Sequence, residues 1–200
     1  DGSPVNNISV SSNETVTCTF TNTQRGKIIV FKQTNPDGSQ QSFNFSASYD
    51  LDGFSLIDGQ SNDSGFLSPG TYSVSETVPP GWDLTSETCS DQSDPSSIAL
   101  AAGETVTCTF VNTQRGTIIV EKQTLPDGDQ TLFTFTGDVS GAIGDEGKIE
   151  MEVSPGTYDF TETVLLGWNL TDITCDNENS FGNLETETAT FNINAGETVT

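Results

Sequence analysis

Three polar residues sit where strand alternation would direct them inward. Lys32 follows Ile28 and Val30 at every second position, Glu76 follows Tyr72 and Val74, and Asn112 follows Val106, Cys108 and Phe110. Residues at i, i+2 and i+4 share one face of a strand. An amine, a carboxyl and a carboxamide are therefore aimed at an apolar interior from three separate strands. Burying them is costly unless they interact, and desolvation favours the neutral amine and the protonated carboxyl. A neutral amine is a nucleophile. A protonated Glu76 can hydrogen-bond the Asn112 carbonyl, polarise it and shuttle protons as ammonia leaves. The product is a Lys–Asn isopeptide bond, made in a single turnover by proximity inside a folded core. The alternative is a Lys–Glu ion pair hydrogen-bonded to the Asn, with no covalent bond.

The cysteines form a second set. Cys89 and Cys108 hold the same repeat positions as Cys175 and Cys18. One pair per repeat, with no CxxC and no histidine, argues against zinc and for a structural Cys89–Cys108 disulfide, hence an oxidising compartment. Buried free thiols are the alternative.

The elements that carry these residues come in tandem copies. TQRGKIIVFKQTNPDG (23–38) returns as TQRGTIIVEKQTLPDG (113–128), matching at 13 of 16 positions. SPGTYSVSETVPPGWDLTSETC (68–89) returns at 154–175, and ETVTCTFTNTQRG (14–26) at 104–116 with one change. The expected organisation is the last strand of a preceding or neighbouring repeat at 1–25, a complete repeat at 26–115, and from 116 to 200 a second repeat without its last strand. Apolar residues alternate with period two, and Asn35-Pro36-Asp37-Gly38, Pro69-Gly70 and Pro79-Pro80-Gly81 mark turns. Short strands between closely spaced turns predict an all-β protein of tandem immunoglobulin-like β-sandwiches, with no amphipathic helix.

The strings G-x-I-x-V-x-K, G-x-Y-x-V-x-E-T before a Pro/Gly turn and an aromatic, and a closing F-x-N together resemble the Cna-B or SpaA-type prealbumin-like pilin domain. The resemblance spans essentially the whole chain. It implies autocatalytic isopeptide bonds between first and last strands, in stalks of Gram-positive adhesins and pili. Residue by residue it implies Lys32, Glu76 and Asn112 in the complete repeat, Lys122 with catalytic Glu162 in the second, and Asn22 in the leading segment. The cysteines and the pairs Gly81-Trp82 and Gly167-Trp168 depart from that family's general pattern, and Leu165-Leu166 replaces Pro79-Pro80.

Composition excludes other classes. Twenty-nine acidic residues against six basic ones give a net charge of −23, which disfavours nucleic acid and anionic membranes. No stretch has the length of a membrane span, and the apolar run of a signal peptide is missing, as in a mature or excised chain. With no histidine, Ser or Thr beside Asp offers no hydrolytic triad. No cofactor is expected.

Weaker signals remain. Asp50, Asp52, Asp58 and Asp63 could bind Ca²⁺, though the spacing is not an EF-hand and a solvated acidic loop explains it as well. Asn7, Asn13, Asn44, Asn62 and Asn169 lie in glycosylation sequons that such a Ser/Thr-rich chain contains by chance. Leu125-Pro126-Asp127-Gly128 reads as a hairpin turn. Trp82 and Trp168 read as core or interdomain packing, with sugar stacking as the rival. The expected function is a structural component of an extracellular filament, pilus or cell-surface stalk, partnered by neighbouring copies. One rival is an adhesin module gripping sugar or protein through variable loops at 50–65 and 137–149, and another is the accessory region of a secreted enzyme. Units could join as a continuous array, favoured by ETVT at both 14–17 and 197–200, or by donating the strand Glu14–Asn22. Either mode sets Cys18 beside Cys175, and Asn22 beside Lys122, of the neighbouring unit.

Overall fold

The computed structural model of this chain describes residues 8–138 and 140–200, so the sequon at Asn7 lies outside the described residues. The first repeat forms nine strands: β1 (Lys27–Asn35), β2 (Phe43–Ala47), β3 (Asp50–Leu56), β4 (Ser61–Asp63), β5 (Gly70–Tyr72), β6 (Val74–Thr77), β7 (Trp82–Cys89), β8 (Ile98–Leu100) and β9 (Thr105–Gln114). One layer has the order β4-β1-β9-β7, and the facing layer combines β3-β2-β6 with the short pair β5-β8. A single 3-10 turn, Pro95–Ser97, is the helical content of this repeat.

Alternation builds the sandwich. Ile28, Val30 and Lys32 of β1 and Val106, Cys108, Phe110 and Asn112 of β9 are buried, while the residues between them are mostly half-exposed. The apolar members pack on Phe43, Phe45, Val74 and Ile98, each such side chain contributing about 1.5–3 kcal/mol when fully buried. The first and last strands lie side by side and parallel, with Ile28 opposite Val106 and Thr34 opposite Asn112.

The second repeat forms β10 (Gly116–Glu121), β11 (Phe133–Gly137), β12 (Gly141–Ile143), β13 (Lys148–Val153), β14 (Gly156–Thr163), β15 (Phe181–Asn183), β16 (Thr188–Ile193) and β17 (Thr198–Val199). Its layers are β13-β10-β17 and β12-β11-β14-β16-β15, closed on a separate core that includes Ile118, Phe133, Phe160, Phe191 and Val199. Here β17 takes the place of the first residues of β9, in the same parallel register, with Ile118 opposite Val199. The counterpart of β7, residues 168–175, is not a strand. In the first repeat β7 hydrogen-bonds to β9.

Two sequence expectations are corrected. Leu125-Pro126-Asp127-Gly128 is not a hairpin turn: it carries the chain from β10 in one layer to β11 in the other. The Asp145 carboxylate locks it, accepting from Thr124 N at 2.6 Å and Gly128 N at 2.7 Å. Asp58 does the same for Thr34 N and Gly38 N at 2.6 and 2.7 Å, so these backbone donors hold both carboxylates below the usual range against the opposing effect of burial. The regions 50–65 and 137–149 are likewise not simply loops, since β3, β4 and β12 lie within them and β13 begins there.

Each repeat opens on a glycine pressed against its own closing segment, and polar side chains join the two repeats. An added Cβ at Gly116 would strike the Ile193 side chain and lie 2.8 Å from Glu197 O, and at Gly26 it would lie 2.6 Å from Glu104 O. Only glycine fits such a close backbone approach. Arg115 bridges the joint, 2.6 Å from Asp83 of the first repeat and 3.8 Å from Glu152 of the second. Ser154 Oγ donates to Asp83 at 2.6 Å.

Candidate crosslinking site

The first repeat brings Lys32, Asn112 and Glu76 together between its two layers. Lys32 on β1 is fully buried, and its Nζ donates to Asn112 Oδ1 of the adjacent β9 at 2.6 Å. Its other acceptors are the carbonyls of Gln33 at 2.7 Å and Phe110 at 3.3 Å, and the Phe43 ring centroid lies 4.1 Å from it. Glu76 reaches in from β6 of the facing layer. Both Glu76 carboxyl oxygens and Asn112 Nδ2 are buried without a hydrogen-bond partner.

Burial sets the protonation states. It lowers the Lys32 amine to about 8, against the opposing pull of the Glu76 and Asp58 charges. It raises the Glu76 carboxyl to about 7, against the Lys32 charge and the Asn112 side chain, with Glu87 adding to the rise. Both shifts favour the neutral forms. A simple ion-pair cluster would be better satisfied than this, because an orphaned buried polar group costs about 1–3 kcal/mol.

The second repeat supplies the contrast. Lys122 and Glu162 form a direct ion pair at 3.2 Å, with side chains 12% and 7% exposed, and no carboxamide lies beside Lys122 among its hydrogen-bond partners in the described residues. The surroundings are otherwise reproduced. Lys122 Nζ lies 4.4 Å from the centre of the Phe133 ring, and the Phe133–Trp168 edge contact, at 5.1 Å and 85°, matches Phe43–Trp82 at 5.2 Å and 84°. The tryptophans are thus packing residues. The aromatic floor under each amine was missed in the sequence, although the repetition of Phe-x-Phe and Gly-Trp was its signal.

Cys89 and Cys108 form a disulfide, with Cα atoms 4.0 Å apart and a sequence separation of 19. Cys18 is an exposed free thiol and Cys175 a half-buried one, whose pKa burial and then Asp176 push up. Asn22 is exposed. Closing a loop of this size stabilises by about 3 kcal/mol in the chain-entropy model. Replacing Cys89 and Cys108 by alanine should lower the unfolding midpoint of the first domain by that equivalent and leave the second domain's transition in place. Calorimetry of the double variant, resolving both transitions, checks this, and an unmoved first transition contradicts it.

The acidic residues do not converge. Asp63 pairs with Lys27 at 2.9 Å, Asp58 is spent on its turn, and no group of three or more acidic or cysteine side chains among the described residues could hold a metal ion. No helix of the described residues is long and apolar enough to cross a membrane.

The family comparison agrees with this architecture. The prealbumin-like fold domain family matches residues 28–114 and again 118–200. The chain is a nearly all-β tandem protein, 48% strand and 2% helical, and it belongs to that family. Membership supports, at the level of the family, a structural surface role, since such domains are not enzymes. Among solved structures, the TIE protein of Bacillus anthracis is similar at 18% identity and a TM-score of 0.34, the match covering 88% of this chain and 33% of that one. A streptococcal ancillary pilin is similar at 15% identity and a TM-score of 0.34, covering 88% and 62%. The chain thus spans less than two thirds of either protein. No curated protein matches it.

Proposed function

We propose that this chain is a structural component of an extracellular filament, pilus or surface stalk whose β-sandwich domains are locked by Lys–Asn isopeptide bonds. The observation that carries this reading is the 2.6 Å contact between Lys32 Nζ and Asn112 Oδ1, made between the parallel first and last strands with an unpartnered Glu76 buried opposite. In the reaction the Lys32 amine attacks Asn112 Cγ and a new C–N bond forms. The Cγ–Nδ2 bond breaks, and Glu76 relays the amine's proton to the departing nitrogen, which leaves as ammonia. Nothing else is consumed. A bond between the strands that begin and end the domain is useful in a load-bearing thread and has no evident use in a loop-borne binding site.

Intact mass tests this directly. The unreduced chain should fall short of the calculated mass by one ammonia plus the two hydrogens of the disulfide, and fragmentation should place the ammonia loss on a Lys32–Asn112 branched peptide. A mass short by the two hydrogens alone would leave the three residues as a polar cluster.

A further inference from the structure

A second carboxylate stands beside the crosslinking site of the first repeat. Glu87 of β7 lies opposite Phe110 of β9, as Cys89 lies opposite its disulfide partner Cys108. Directly opposed residues of an antiparallel pair share a face, so Glu87 belongs to the inner row that also holds Cys89. On the facing layer Glu76 of β6 lies opposite Phe45 of β2. The Phe45 and Phe110 rings meet edge to face across the interior, with centroids 5.2 Å apart. Glu76 and Glu87 are therefore the outer neighbours of two touching aromatics. They stand level with each other on β6 and β7, the strands that end their respective sheets on this side.

Their surroundings differ. Both Glu76 carboxyl oxygens are buried and unpartnered, whereas Glu87 is exposed. Glu87 enters none of the ion pairs among the described residues. The aligned residue of the second repeat is Ile173, so the feature belongs to the first repeat alone.

We infer that Glu76 and Glu87 work as a carboxyl pair in the crosslinking of Lys32 to Asn112, the buried member lying among the reacting groups and the exposed member acting on it by its charge. This role rests on the function proposed above, and it makes Glu87 a positioning residue, since it reaches the reacting atoms only through Glu76. A nearby like charge disfavours ionisation. Glu87 thus adds to the rise that burial imposes on the Glu76 carboxyl, against the Lys32 charge and the Asn112 side chain. Other elements packed here bring no free charge. β2, β9 and the 3-10 turn have no ionisable side chain apart from the bonded Cys108. Asp91 and Asp94 beside that turn are engaged by Ser93 and Ser96, and Asp83 by Arg115.

The consequence falls on one side of the pH profile. Below about pH 6 Glu76 is protonated with or without Glu87, and the amine alone sets the rate. At higher pH the rate follows the protonated fraction of Glu76, which the Glu87 charge enlarges.

The test refolds the full chain, wild type and Glu87→Gln, from the denatured and uncrosslinked state between pH 5 and 9, following ammonia loss by intact mass. The variant should match the wild type below about pH 6 and react about threefold more slowly above about pH 8. Because Glu87 is exposed, that difference should shrink in roughly 1 M salt. Carbon-13 NMR of glutamate-labelled chain gives a readout independent of the bond. The Glu76 titration midpoint, assigned by its loss in Glu76→Gln, should fall in Glu87→Gln. Equal slowing at every pH, or a Glu76 midpoint unmoved by Glu87→Gln, would overturn the inference and leave the crosslink standing. A wild-type chain that never loses ammonia would instead overturn the proposed function and this role together.

Discussion

Replacing Glu76 by alanine is expected to turn the first domain from inextensible to extensible under load. Force carried along the thread enters at β1, just after Gly26, and leaves at the end of β9, just before Arg115. These strands are parallel neighbours, so pulling shears one past the other. With Lys32 joined to Asn112, the load crosses the new bond and bypasses the 80-residue separation between them. Without the bond the domain opens and releases that length, about 280 Å when fully extended in reductant and about 210 Å when the disulfide withholds its loop. Glu76 makes no close hydrogen bond that alanine would break, only a looser approach to the Asn112 side chain, so the variant should still fold. Glu76→Gln separates roles further, since it keeps the volume but cannot carry a proton. Single-molecule pulling on the intact chain should show no opening event for the first domain in the wild type and the two redox-dependent increments in both variants. Increments of the same length in the wild type would show that no bond bridges the strands.

Much of this was legible from alternation alone. Lys32 and Asn112 sit on strands whose apolar neighbours leave one register possible, because a one-residue slip would expose Ile28, Val30 and Phe110 together. Glu76 was found the same way, although Tyr72 proves to lie on the separate strand β5 and is only half-buried. The disulfide followed from repeat arithmetic. What stayed hidden was whatever depends on which strands are neighbours across the sandwich. The Asn-Pro-Asp-Gly and Leu-Pro-Asp-Gly turns look local but join different layers, and their carboxylate locks, Asp58 and Asp145, stand 24 and 21 residues from the threonines they hold. The repeats align poorly there, so Asp145 did not register as the partner of Asp58. The Arg115–Asp83 clamp was equally invisible, because neither residue lies in an alternating pattern that points to the other.

Crosslinking should rise and fall with pH, and burial should set the scale of its rate. Reaction needs the Lys32 amine unprotonated and the Glu76 carboxyl protonated together. At their ordinary values of 10.5 and 4.5 that doubly neutral pair would be on the order of one part in 10⁶ between the two titrations. With the amine lowered to about 8 and the acid raised to about 7, the same pair rises to about one part in twenty. The folded core thus enriches the reactive form by orders of magnitude before any effect of proximity. The limbs have definite signs. Below about pH 7 the amine takes up its proton, and each further unit removes about nine tenths of the reactive form. Above about pH 8 the carboxyl has lost its proton, and each further unit costs the same factor. Chain recovered unfolded and uncrosslinked from inclusion bodies can be refolded across pH 5 to 10, with ammonia loss followed by intact mass against time. The expected profile is a bell with its plateau between about pH 7 and 8. A rate that climbs steadily to pH 10 would mean that the amine alone titrates and Glu76 carries no proton, and a rate independent of pH would mean that folding, not proton transfer, limits the bond.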